Sequence, residues 1–355
     1  MRVAILWKQL SGYASASFAA LQRQGVELMV VHRKATGDAP FDDGALALDC
    51  AGHAWSEAPD EARLRSELEQ FAADALLVIS WDVGAYRRIS RAMQGRTLRV
   101  LCMDNSWLGT PKQWAGRIAS PALIRPCYDV AFLPGERQAA FARRLGFADD
   151  EILWGLYTCD HPTFAAVRDE RIGEPAPAFV FAGRLVAPKG AGVLAEAYRL
   201  YRQGAADPWP LSVCGTGPMA GALSGIPGVE MLGFVQPAEL PAVFARSGCL
   251  VAPSTFEPWG VVIHEAVSAG LAVVCSTACG ASTRLVLDGY NGEVVPPGRP
   301  ARLAEAMARV ASATTDRAAI SRRSGELSAQ FTPQRWAQYL CQRLPALRER
   351  FGLHG

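Results

Sequence analysis

The sequence predicts an α/β protein of two domains, each a parallel sheet with helices on both faces. Three observations lead there. Short β-rich apolar runs alternate with helical segments along almost the whole chain, the pattern that strand–helix–strand crossovers write into a sequence. The alternation breaks between Tyr157 and Ala178, a stretch holding Pro162, Pro175 and Pro177, and then restarts. A length of 355 residues is enough for two separate cores at roughly 150 residues per domain.

Read in order, Arg2–Trp7, Val26–His32, Leu76–Trp81, Leu98–Met103 and Val130–Pro134 are apolar runs of strand length. Helical periodicity fills Ala14–Gln24, Pro59–Ala73, Gly84–Gln94 and Glu136–Leu145 between them. The proline-rich break reads as the interdomain linker. Strands resume at Phe179–Ala182, Leu211–Gly215, Val229–Leu232, Leu250–Ala252 and Ala272–Cys275, again separated by helices. From Arg302 to Phe351 the composition is helical, ending in an amphipathic run from Pro333. The expected divisions are 1–160, 161–332 and a final helical segment 333–355.

A hydrophobic share of 50% with 20% charged residues excludes a disordered tail or a coiled coil. The longest apolar runs, such as Ala75–Trp81, fall far short of the roughly 18 residues a membrane-spanning helix needs. The apolar run Val3–Trp7 is too short for a signal-peptide core, so the expected location is the cytoplasm. Nine cysteines without a CxxC pair fit reduced core thiols. Between Gly84 and Phe147, eleven arginines and lysines face three acids, a candidate electrostatic surface. Lysine itself is rare: it occurs at Lys8, Lys34, Lys112 and Lys189, and three of the four follow strands or open helices, where α/β proteins bind ligands.

Three segments of the second domain carry chemistry. FVFAGRLVAPKG places Gly183, Arg184 and then Lys189 between a strand and a helix, where two cations and free helix amides suit a diphosphate. LSVCGTGPMAG puts Gly215, Thr216 and Gly217 after a strand, either to let a ligand base approach the backbone or as a plain strand-to-helix turn. STFEPWGVVIHEAVSAG sets Glu257 in a loop, Pro258, Trp259, Gly260 and Val261 at a helix start, and Glu265 in that helix's second turn. Spaced in this way, the two carboxylates can reach different parts of one elongated ligand. The alternative makes Glu257 a helix-capping acid and Glu265 a solvated helix residue. His264 reads as structural.

Together, GRLVAPKG, CGTGP, the E-x7-E pair in FEPWGVVIHEA and the NGEVVPPG that follows resemble the donor-binding domain of family 4 glycosyltransferases, over about Phe179 to Ala311. The resemblance implies the GT-B fold, two Rossmann-like domains facing across a cleft with a final helix crossing back. It implies retaining transfer of a sugar from a nucleotide-diphosphate sugar to an acceptor hydroxyl, with no metal and no other cofactor. Arg184 and Lys189 would neutralise the diphosphate, Glu257 would contact the sugar and Glu265 the ribose, while the Gly215 turn and Phe234 would border the base. No Asp-x-Asp motif occurs; adjacent acids such as Asp42 with Asp43 lack that spacing.

In the first domain the family often has two glycines after the first strand; here KQLSGY has one, Gly12, a candidate neighbour of the donor phosphates. Where many members carry a histidine, this chain reads LCMDNSWLGTPKQW. Asp104 is then the candidate to orient or deprotonate the acceptor, or a turn residue, with Asn105 and Lys112 further acceptor-side candidates. The acceptor would be a glycan, a lipid-linked molecule or a small molecule, as in polysaccharide or lipopolysaccharide synthesis. The basic tract over 84–125 is either an ordinary amphipathic helix with its surroundings or, helped by Trp107, Trp114 and Arg117, a contact with the inner face of a membrane. Nucleic acid is not expected, for want of a binding motif. The competing functions are a catalytically silent sugar-nucleotide-binding or scaffold protein and an NAD-dependent oxidoreductase.

Overall fold

A computed structural model describes residues 1–34, 48–55 and 60–353. The Asp42–Asp43 pair and Pro59, where the second predicted helix begins, lie outside the described residues. The chain divides into two units: Met1–Thr158 with Pro333–Gly355, and Cys159–Thr332.

The first unit opens with β1 (Arg2–Gln9), α1 (Gly12–Arg23), β2 (Glu27–Arg33) and β3 (Ala51–Trp55). It continues through α2 (Glu61–Phe71), β4 (Ala75–Ile79), α3 (Gly84–Ala92), β5 (Leu98–Cys102) and α4 (Pro111–Leu123). β6 (Val130–Leu133), α5 (Glu136–Arg144) and β7 (Ile152–Trp154) complete its sheet, whose strands run parallel in the order β3-β2-β1-β4-β5-β6-β7. β4 and β5 sit in the middle and every residue of both is buried, as expected for parallel strands with helices on each face. β3 and β7 were not legible because one is a half-exposed AGHAW at the sheet edge and the other only three residues long. α2 starts where Asp60 accepts from the amides of Ala62 and Arg63.

The second unit begins with α6 (His161–Asp169), β8 (Phe179–Ala182), α7 (Ala191–Gly204), β9 (Leu211–Cys214), α8 (Ala220–Leu223) and β10 (Val229–Gly233). After these come α9 (Leu240–Ala245), β11 (Cys249–Ala252), α10 (Val261–Ser268), β12 (Ala272–Ser276), α11 (Ser282–Leu285) and β13 (Gly292–Val295). α12 (Pro300–Val310) and α13 (Arg317–Ser328) follow. Its parallel strands take the doubly wound order β10-β9-β8-β11-β12-β13. The proline-rich break is therefore not a plain linker. Its first half folds as α6, whose Phe164 is buried against Phe244 of α9 within the second unit.

The last helix, α14 (Pro333–Arg350), belongs to the first unit, where it packs on α1. Trp336 stacks on Phe132 of β6 with ring centroids 6.1 Å apart and donates its indole N–H to the Leu156 carbonyl at 3.1 Å. Arg348 pairs with Asp74 at 3.2 Å. All nine cysteines are free thiols and seven are buried.

Candidate functional site

In a doubly wound sheet the crevice lies beyond the carboxyl ends of the two strands where the winding reverses. In the second unit those strands are β8 and β11. Gly183, Arg184 and Lys189 follow β8; Glu257 follows β11. Backbone bonds stitch the two loops, with the amides of Thr255 and Phe256 donating to the Pro188 carbonyl at 2.8 and 3.2 Å. The stitch brings the Lys189 ammonium onto the Glu257 carboxylate as an ion pair and hydrogen bond. Glu257 does not cap α10, which has no side-chain cap. Arg184 is exposed.

Gly260 opens α10 in the left-handed region, φ 98°, and a Cβ there would sit 3.1 Å from the Glu257 Cγ. Glycine thus permits both the turn and the closeness of the Lys189–Glu257 pair to an uncapped helix start, whose amides carry partial positive charge. One turn on, Glu265 is half-buried, and burial followed by the nearby Asp160 carboxylate pushes its carboxyl from 4.5 up to about 7. Among the described residues its carboxylate has no protein partner.

The glycines after β9 have a steric reason. A Cβ on Gly215 would meet the Gly183 carbonyl oxygen at 1.9 Å, and one on Gly217 the Leu185 oxygen at 2.4 Å. The Leu185 amide donates to the Thr216 carbonyl at 2.8 Å, so this turn is laced to the loop after β8. Thr216 and Gly217 are exposed there, and Phe234, half-buried, follows β10.

Two expectations need correction. Trp259, placed at the donor-binding helix start, is 3% exposed with its indole nitrogen unpartnered, so only its backbone is open to a ligand in this structure. Lys112 does not join Asp104 and Asn105; it lies exposed in the first turn of α4, whereas those two line a separate cavity. His264 is fully buried edge-on to Phe331, and burial holds it neutral, down to about 3.

That cavity, about 390 Å³, lies at the corresponding crossover of the first sheet, between β1 and β4. Ser11, Tyr13, Asp104, Asn105 and Tyr157 line it, and Gly12 starts α1 beside it. The Tyr157 hydroxyl donates to Asp104 Oδ2 at 3.1 Å, and burial and then the Asp104 charge keep that phenol protonated. Sequence reasoning missed the pair on its wall, Lys8 Nζ with Asp82 Oδ1 at 3.0 Å. Burial raises the Asp82 carboxyl, but hydrogen bonds from Ser80 and Lys8 outweigh it and leave it below the ordinary range. Ser80 holds φ 66°, a left-handed strain of about 1 kcal/mol or more that recurs where function fixes the backbone. The one hint in the sequence was a lysine at the end of the first strand.

Among known proteins, residues 176–313 match the family described as Glycosyl transferases group 1. The alpha-D-kanosaminyltransferase of Streptomyces kanamyceticus is 30% identical over 150 residues, covering 40% of this chain and 38% of that one. The phosphatidyl-myo-inositol mannosyltransferase of Propionibacterium freudenreichii subsp. shermanii is 31% identical over 218 residues, 58% of this chain and 54% of that one. The chain thus spans about half or less of the curated relatives it matches. The crystal structure of HepE from Anabaena in complex with UDP aligns with a TM-score of 0.73 at 18% identity, over 98% of this chain and 100% of that one.

Two parallel, doubly wound units with this likeness define a protein of the GT-B fold. The stretch that resembles the Glycosyl transferases group 1 family lies in its second unit.

Proposed function

We propose that this protein is a glycosyltransferase that moves a sugar from a nucleotide-diphosphate sugar to an acceptor hydroxyl with retention of configuration. One observation supports the reading: the loops after β8 and β11, the strands at the crossover of the second sheet, bring Lys189 onto Glu257 beside the uncapped start of α10, the helix that carries the unpartnered Glu265. In this reading Glu265 takes the ribose hydroxyls. Arg184, Lys189 and the first amides of α10 hold the diphosphate, and Glu257 pairs with Lys189 and meets the sugar. The relatives' names support a sugar-transfer activity, and HepE's bound UDP supports a uridine nucleotide as the first donor to try.

During transfer the bond from the anomeric carbon to the diphosphate oxygen breaks, and the acceptor oxygen forms the new one on the same face. The acceptor's proton passes to the departing phosphate oxygen. Charge grows on the diphosphate as it leaves, and fixed cations meet it without reorganising. No metal or other cofactor takes part in this scheme. On the first unit, Asp104, held by Tyr157, orients the acceptor hydroxyl, with Asn105 beside it and Gly12 at the donor phosphates. The acceptor class is a glycan or lipid-linked molecule of the kind used in cell-surface polysaccharide synthesis, met on the cytoplasmic face of a membrane.

The test is slow hydrolysis of UDP-glucose and a panel of other nucleotide sugars. Arg184, exposed and without a partner among the described residues, gives the clean variant. Arg184→Ala is expected to lower kcat/KM roughly ten- to hundredfold, the worth of one charged hydrogen bond at about 1.5–3 kcal/mol, with melting unchanged. Failure of every donor to release free nucleotide would overturn the reading.

A further inference from the structure

The Lys8–Asp82 pair on the wall of the first unit's cavity costs the fold more than it gives. Lys8 lies near the carboxyl end of β1 and Asp82 in the loop after β4, the two strands at the crossover of the first sheet. Lys8 Nζ is 3.0 Å from Asp82 Oδ1 and 3.2 Å from Oδ2, and the Ser80 hydroxyl donates to Oδ1 at 2.6 Å. Both side chains of the pair stay about half exposed, 49% and 47%. An ion pair so open to water adds little to stability. Yet it is served by Ser80 at φ 66°, a left-handed conformation that costs a non-glycine residue more than such a pair gives back. The Ser80 amide donates to the Cys102 carbonyl at 2.8 Å, which fixes that backbone in place. Strain spent on a weak pair at a cavity wall points to a ligand. On the same wall the Ser11 hydroxyl is buried with no partner among the described residues.

The lining says what kind of ligand. Among the described residues the charged side chains facing the cavity are Lys8, Asp82 and Asp104, one cation against two carboxylates. No arginine is among them, in a chain whose cations are mostly arginine, the fork that suits phosphate and carboxylate groups. An anionic group entering here meets a wall of its own sign. A neutral sugar ring meets a matched one: the Lys8 ammonium and the Asp82 carboxylate keep donors and lone pairs beyond those they share, so neighbouring ring hydroxyls can accept from one and donate to the other. The Ser11 hydroxyl can do either. Tyr13 and Tyr157, edge to face at 5.4 Å, add an aromatic side to the cavity, whose volume of about 390 Å³ is in the range of small-molecule sites.

We propose that Lys8 and Asp82 set acceptor specificity: they bind neighbouring hydroxyls of a neutral pyranose and turn away acceptors that carry phosphate or carboxylate on that ring. The proposal rests on the sugar-transfer reading and deepens it by naming the acceptor's chemistry.

The experiment is saturation-transfer NMR of the full chain with UDP added to occupy the second unit's crevice. The probes are the methyl glycosides of glucose, galactose and mannose and, at the same concentrations, glucose 6-phosphate and glucuronate. At least one neutral glycoside should bind, at least fivefold more tightly than either charged sugar. Asp82→Asn should weaken that glycoside about tenfold, as loss of one hydrogen bond to a charged group does, and should erase the preference against glucose 6-phosphate, because Lys8 then lacks its counter-charge. Ser80→Gly keeps the chain folded: glycine adopts the left-handed backbone freely, so melting should be no lower than the parent's while glycoside binding falls several-fold, which a merely structural Ser80 would not give. No binding of any neutral glycoside, equal binding of neutral and charged sugars, or an unchanged preference in Asp82→Asn would overturn the proposal. UDP that fails to raise the parent's melting temperature counts instead against the sugar-transfer reading, so the two failures are read apart.

Discussion

Replacing Glu265 with glutamine should make the protein more stable and less able to bind donor. The carboxyl rises from 4.5 to about 7, which at about 1.4 kcal/mol for each tenfold change in proton affinity sets a ceiling of about 3.5 kcal/mol on the cost of ionising it in the fold. Partial exposure lets water recover some of that, so a gain of about 1–2 kcal/mol is expected. The sign follows from linkage. Below the unfolded value of 4.5 both states hold the proton and the residue costs nothing; between 4.5 and about 7 the unfolded chain ionises first, and above about 7 the full cost is present. Scanning calorimetry should therefore show Glu265→Gln melting a few degrees above the parent near pH 8, at roughly 2–4 °C per kcal/mol, with the gap closing toward pH 4.5. In the same samples UDP should raise the parent's melting temperature and the variant's much less, because the amide lacks the charge that ribose hydroxyls would meet. Equal melting of the two proteins near pH 8, or equal stabilisation by UDP, would refute the argument.

Trp336→Ala should destabilise the first unit by about 3–5 kcal/mol, the usual cost of emptying a large aromatic site, read by chemical denaturation. Asp104→Asn should leave donor hydrolysis near the parent's rate yet slow transfer to acceptor at least tenfold, as loss of an orienting charge does, with radiolabelled product as the readout. Treatment with EDTA should leave the hydrolysis rate unchanged, since Arg184, Lys189 and the α10 amides carry the leaving-group charge in the proposed scheme; a rate restored only by added magnesium would contradict it.

Parts of this molecule were legible because their cause is local. The segment from Glu257 to Glu265 is one strand-to-helix junction, so spacing along the chain nearly equals placement in space; Lys189, 68 positions from Glu257, was singled out by its own strand–loop motif, and their pairing was not. The interior strands announced themselves as unbroken apolar runs. The Lys8–Asp82 and Asp104–Tyr157 pairs were invisible for the opposite reason: 74 and 53 positions separate their members, and only the order of strands brings them together. The burial of Trp259 was not legible because an aromatic ring beside a helix-opening glycine looks the same in a sequence whether it turns out or in. Helix α4 escaped because Trp114, Ile118 and Leu123 do not fall on one helical face and because Gly116 and Pro121 interrupt the usual signature.

The return of α14 to the first unit has a consequence for biogenesis. That unit is assembled from two stretches of chain separated by the whole of Cys159–Thr332, so a ribosome must finish the intervening half before the first half receives its closing piece. Until then Phe18 and Phe132, which Trp336 covers in the mature protein, remain uncovered, and the nascent polypeptide presents a sticky surface that chaperones would have reason to guard.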